Sequence, residues 1–221
     1  FSQNTLPRDA RGWTIFTPSE DTRIAYISSS NGNDANAQTY GKNDPVVGGN
    51  PFLPQDGIAP FATIAAAFDS VRNGAPDWVL LKKGDVWYES LKSKDGRSDD
   101  EPFLVAAYGA ESDRPLLNTG NSTGLHGCCK GFSHRAIAGI HLYANGKDPD
   151  SPDYQSGESG GGFNFFTGET YDAHSVLIEN CRVDYYRNNI SFQTKGENLI
   201  DDIVVRRNII TNAYSSSSHS Q

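Results

Sequence analysis

Toward its C-terminal end the chain repeats an apolar pattern with a step of 27 residues. Val176, Ile178 and Val183 recur 27 positions later as Ile203, Val205 and Ile210 (203−176, 205−178, 210−183), with the same internal spacing of two and then five residues. A second ladder shares the step, with Ile190 and Phe192 lying 27 after Phe163 and Phe165. Alternation at period two puts each apolar set on one face of a strand. Two different strand-like segments with one period describe a unit of chain that returns to the same place. Stacked units bury a continuous core that no single one could bury. The pattern predicts an all-β parallel β-helix.

An earlier, longer unit fits the same ladder. Ile137, Ile140 and Leu142 precede Ile178, Cys181 and Val183 by 41, so this unit holds 41−27 = 14 extra residues. The second ladder keeps its step, which places the excess between Leu142 and Phe163. The stretch 145–162 is rich in Pro, Gly, Asp and Ser, the composition of an exposed loop.

Upstream, Ile24–Ile27, Trp78–Leu81, Pro102–Tyr108 and Pro115–Leu117 read as short strands, with a turn at Gly84 and Asp85 leading through Val86 and Trp87 into another. The polar segment from Ser28 to Gly57 is long for a loop and suggests a covering or functional element. Phe61, Ile64, Phe68 and Val71, spaced 3, 4 and 3, make one apolar helix face between Pro60 and Gly74. The helix expected within 58–74 would close the N-terminal end of the core, where open strand edges invite aggregation. The whole chain, 1–221, reads as a single domain.

Composition narrows the function more than the fold. At 221 residues the chain can build one substantial core, and 22 glycines with 11 prolines suit a turn-dense β architecture. A net charge of −8 with no basic stripe argues against nucleic acid and against anionic membrane surfaces. No apolar run approaches a membrane span. Acidity leaves an acidic polysaccharide open, because a local basic groove or bound calcium could receive one. The absence of Met and the start at Phe1 suggest a processed or trimmed beginning. Because the sequence stops before the strand that should follow Phe192 by one further unit, it reads as the N-terminal portion of a longer solenoid or a trimmed product. Cys181 reads as a small buried hydrophobe. His126, Cys128 and Cys129 lack the spaced second pair of a zinc site.

Tyr26-Ile-Ser-Ser-Ser-Asn-Gly-Asn-Asp34, followed by Pro60-Phe-Ala-Thr-Ile-Ala-Ala-Ala67, resembles the opening of right-handed parallel β-helix proteins of the pectate-lyase-like superfamily. Leu81-Lys-Lys-Gly-Asp-Val-Trp87 and the stretch from Ala107 to Leu117 are similar to the two segments that follow there, and the resemblance runs from about Tyr26 onward. It implies a right-handed helix with a capping α-helix, in a secreted or cell-surface protein that handles a polysaccharide. It names no reaction, since lyases, hydrolases, epimerases, tailspikes and non-catalytic proteins share the fold.

In lyases of this superfamily a Lys or Arg abstracts the proton beside a uronate carboxylate, often with calcium neutralising that carboxylate. Hydrolases use paired carboxylates instead. Either needs outward polar residues presented side by side on successive strands. The face of the Phe163/Ile190 ladder offers Asn164, Asn189 and Gln193 for sugar hydroxyls, with Arg187, Lys195 and His219 as the positive or basic groups. On the other ladder His141 and Arg182 stack outward, as do Tyr143, Asp184 and Thr211. Asp148, Asp150 and Asp153 are hard oxygen ligands suited to calcium, the expected cofactor. No close pair of carboxylates recurs on one outward face, which weakens the hydrolase reading. The expected function is a polysaccharide lyase acting on an acidic polysaccharide. The alternative is a non-catalytic β-helix that binds glycan or builds a surface structure.

Overall fold

A computed structural model describes residues 6–128, 131–168 and 171–213. It is mostly β-strand in parallel sheets, with one α-helix among the described residues. In chain order the strands are β1 (Ile24–Ile27), β2 (Thr39–Tyr40), β3 (Trp78–Lys82), β4 (Val86–Trp87), β5 (Phe103–Tyr108), β6 (Leu116–Asn118), β7 (Leu125–Cys128) and β8 (Phe132–Ala138). There follow β9 (His141–Tyr143), β10 (Phe163–Phe166), β11 (Ala173–Glu179), β12 (Arg182–Asp184), β13 (Ile190–Gln193), β14 (Ile200–Arg206) and β15 (Ile209–Thr211).

These strands make three sheets, ordered β14-β11-β8-β5-β3-β1-β2, β13-β10-β7 and β15-β12-β9-β6-β4. From β7 onward the chain visits the three in strict rotation, so each circuit lays one strand on every sheet. The pairing follows the expected ladders. Ile178 lies opposite Ile137 and Val205, Val183 opposite Leu142 and Ile210, and Phe163 opposite Ile190. The rings of Phe165 and Phe192 stack at 5.1 Å between centroids.

The backbone repeats as faithfully as the side chains. Left-handed residues occur at Gly139, Asn180 and Arg207, where the chain turns from one sheet into the next, and again inside strands at His134, Ser175 and Asp202. Both sets step by 41 and then 27 (180−139, 207−180; 175−134, 202−175). A bend at the same point of each circuit keeps the sheets in fixed relation. Between the sheets Ile137, Ile178, Val183, Phe163 and Phe165 are fully buried. Cys181 is buried there as expected, and burial pushes its thiol up to about 12.

The helix α1 spans only Ile64–Ser70, shorter than the apolar spacing suggests. Phe61 is taken by a parallel bridge to Ile27, its amide donating to Tyr26 and its carbonyl accepting from Ser28. Thr63 caps the helix onto the Ala66 amide, and Asp34 accepts from the Ala62 and Thr63 amides. At the other end Val71 is extended while the Arg72 amide donates to Asp77. All four apolar residues are still buried, and Ile64 and Phe68 pack into the core cluster holding Ala25 and Ile27 of β1.

A second apolar layer covers the outer face of the seven-stranded sheet. Tyr26, Trp78, Leu80, Leu104 and Leu177 pack there against Leu6, Tyr40, Val47 and Phe52. The segment 28–57 is therefore a covering element, and it contributes β2, antiparallel to β1. The N-terminal segment crosses the same sheet as a strap. The Thr14 amide donates to the Glu179 carboxylate, and the Arg206 guanidinium bonds the Thr14 hydroxyl. Arg207 donates to the Arg11 carbonyl at 2.7 Å and lies 4.2 Å above the Trp13 ring.

Candidate functional site

The three-stranded sheet presents its outward side chains in register. His126 of β7, Asn164 of β10 and Ser191 of β13 are direct neighbours across it. Leu91 bridges Leu125, which brings Lys92 beside His126. Both line a cleft of about 540 Å³ together with Ser90, Ser93 and Thr123. Lys92 and His126 are exposed, while Asn164 and Ser191 are half-buried. Gly127 makes the column possible from below, since a Cβ there would lie 2.6 Å from the Phe165 ring packed beneath it. Lys94, also lining the cleft, turns inward to the Val71 carbonyl, and burial pulls its ammonium pKa down.

Of the residues expected on this face, Asn164 stands in the column, and Gln193 is exposed one outward position further along β13, opposite Phe166. Asn189 does not face outward. It is 4% exposed, its carbonyl oxygen accepting from the Tyr186 amide and its amide donating to the Thr211 carbonyl at 2.7 Å. It braces the turn before β13, because an amide at a tight chain reversal satisfies backbone groups that would otherwise be buried unpaired. Arg187 and Lys195 stand before and after β13, so the strand separates them. The Arg187 amide is held by the Ser159 hydroxyl and its guanidinium lies 3.5 Å from Glu158. The Lys195 amide donates to the Thr167 hydroxyl. His219 lies outside the described residues, as does Cys129.

The three aspartates of the 145–162 loop serve separate partners. Asp148 accepts from the Tyr143 hydroxyl, which holds its carboxyl below the ordinary value, and from the Asp150 amide. Asp153 accepts from the Asn145 amide at 2.8 Å, and the Asp150 side chain is exposed. Among the described residues no group of three His, Cys, Asp or Glu side chains is placed to hold a metal.

On the five-stranded sheet the outward columns are His141 beside Arg182, and Tyr143 between Asn118 and Asp184. Asp184, only 1% exposed at its side chain, accepts from His141 Nε2 at 2.9 Å, from Arg182 Nε at 2.5 Å and from the Thr211 hydroxyl. Burial alone would raise its carboxyl, but these three donors hold it below the ordinary value.

The ladders made Asn164 legible, but not Lys92 or His126. Leu125 precedes Phe163 by 38 rather than 27 or 41, and with Gly127 in place of an apolar side chain the alternation there is too short to show. The usable signal was Leu91, Leu125 and Phe163 each followed by a polar residue. No protein-family model matches the chain, and no curated protein matches it. No helix among the described residues is long and apolar enough to cross a membrane.

Proposed function

We propose that the three sheets wind as a right-handed parallel β-helix of the pectate-lyase-like kind, and that its three-stranded face receives an acidic polysaccharide in a secreted or cell-surface setting. One observation carries the reading. Lys92, His126, Asn164 and Ser191 succeed one another across this face, and Lys92 and His126 line a cleft of about 540 Å³ at its edge. Adjacent strands are about 4.8 Å apart, close to the length of one sugar unit, so a polymer lying across them meets one side chain per residue. Lys92 and His126 suit carboxylates, Asn164 and Ser191 suit hydroxyls, and Arg187 and Lys195 bracket the face. The column contains no carboxylate, which favours elimination or plain binding over hydrolysis by paired acids.

The test is a panel of polyuronates and neutral glycans, scored for binding by affinity electrophoresis and for unsaturated product at 235 nm, with and without calcium. We expect polyuronate binding that falls at least tenfold in Lys92→Ala/Asn164→Ala and several-fold in Lys195→Ala. Product absorbance identifies a lyase, and binding without it identifies a glycan-binding protein. Polyuronate binding unchanged in these variants would overturn the assignment of this face.

A further inference from the structure

We propose that a second cleft, on the five-stranded sheet, is a binding site for a single carboxylated sugar unit, with Arg182 as its carboxylate receptor and His141 beside it. The proposal rests on the reading that the chain handles an acidic glycan, but it concerns a different sheet and different residues. The cleft encloses about 320 Å³ and is lined by Gly84, Ser112, Asp113, Leu116, His141 and Arg182, among others. That volume is at the lower end of ligand pockets and suits a monosaccharide.

The pairing around Asp184 gives the site its character. His141 and Arg182 both bond the same oxygen, Oδ2, of this one buried carboxylate. Arg182 uses only Nε in doing so, and its side chain is 46% exposed. Among the described residues no hydrogen bond occupies its two terminal amino groups, which leaves a planar fork at the cleft. A guanidinium edge of this kind pairs with a carboxylate through two parallel hydrogen bonds. His141 spends Nε2 on Asp184, so Nδ1 is the ring nitrogen left for a ligand.

The other charged groups around the cleft have work of their own or suit hydroxyls. Arg114 is committed to Asn180, donating to its backbone carbonyl and its side-chain oxygen at 2.7 Å each. Asp85 is buried and receives the Ser28 and Ser30 hydroxyls. Asp113 is exposed at the rim, where a carboxylate accepts well from sugar hydroxyls. An open cationic fork and an exposed carboxylate, which accepts only a long bond from the Ser112 hydroxyl, match a ligand carrying both a carboxylate and hydroxyls. A simple inorganic anion would use the first and be repelled by the second.

The experiment titrates the whole chain with D-galacturonate, D-galactose and inorganic sulfate, following the His141 imidazole signals by NMR. Assignment uses His141→Gln. We expect galacturonate to shift these signals saturably, galactose to shift them at least tenfold more weakly, and Arg182→Gln to abolish the effect while its circular dichroism stays native. Asp113→Asn should weaken galacturonate several-fold. Silence of His141 toward galacturonate, or an equal response to galactose or sulfate, overturns the proposal. Polyuronate binding lost in Lys92→Ala/Asn164→Ala while His141 stays silent removes this site and keeps the polysaccharide reading. A His141 response without any polyuronate binding does the reverse.

Discussion

The two ends of the stacked strands treat equivalent residues in opposite ways. At the N-terminal end Ala25 and Ile27 are fully buried because Ile64 and Phe68 of α1 join them in one cluster. At the other end no described strand lies beyond β14 and β15, and Val205 and Ile210 are 41% and 47% exposed. Their partners one circuit earlier, Ile178 and Val183, are 0% exposed. Residue type is the same in both places, so burial here comes from having a neighbour on each side. A solvent-facing aliphatic ladder is a surface that another layer can cover.

The largest effect should come from asking the two positions of one ladder for the same substitution. Ile178→Asp places an unpaired carboxylate in the core and should cost about 5 kcal/mol or leave no cooperative unfolding. Val205→Asp should change the urea midpoint by about 0.5 kcal/mol or less, the usual range for an exposed site. Equal losses would mean that Val205 is buried in solution. Next in size, Phe68→Ala should cost about 3–5 kcal/mol by opening a cavity beneath α1. Ile210→Ala at the open end should cost about 1 kcal/mol or less in the same denaturation assay.

The smallest effect is polar. Thr211 of the open end reaches back to Asp184 in the covered circuit, and His141 and Arg182 complete its donors. The folded carboxyl is held below its ordinary value, so its stabilising contribution is present above the unfolded value of about 3.9 and lost as pH falls through the lower folded one. Asp184→Asn should cost about 2 kcal/mol at pH 7, with a smaller penalty at pH 3. A penalty independent of pH would show that the carboxylate's charge contributes nothing.

Much of the later half is legible because its core-facing positions recur at fixed steps. The pairing of Val176 with Ile203 and of Ile178 with Ile137 follows from steps of 27 and 41 read along the chain. So does the long loop at 145–162, because an insertion leaves the ladders on either side in register. The length of the 28–57 segment points to a covering element, but not to its apolar residues: Tyr40, Val47 and Phe52 are scattered through polar sequence, and what makes them a layer is the sheet beneath. The helical spacing runs past the helix itself, because Phe61 satisfies that spacing while its backbone belongs to a bridge with Ile27. Alternation misplaces Asn189, because it gives the face of a strand residue, whereas Asn189 precedes β13 and is governed by turn hydrogen bonds. The ladder makes His141 and Arg182 outward neighbours, but the burial of Asp184, which organises them, is a three-dimensional fact.

The strap that joins Thr14 to Glu179 and Arg11 to Arg207 spans 165 and 196 residues of sequence. Its partners exist only after β11 and β14 have formed, so a stretch of chain that leaves a ribosome before any of these strands is among the last to be seated. Until then the outer face of Leu104, Ala136 and Leu177 waits partly uncovered. Assembly of this protein thus has a direction in time opposite to the direction of its synthesis: the strands accumulate forward, and the lock closes backward over them.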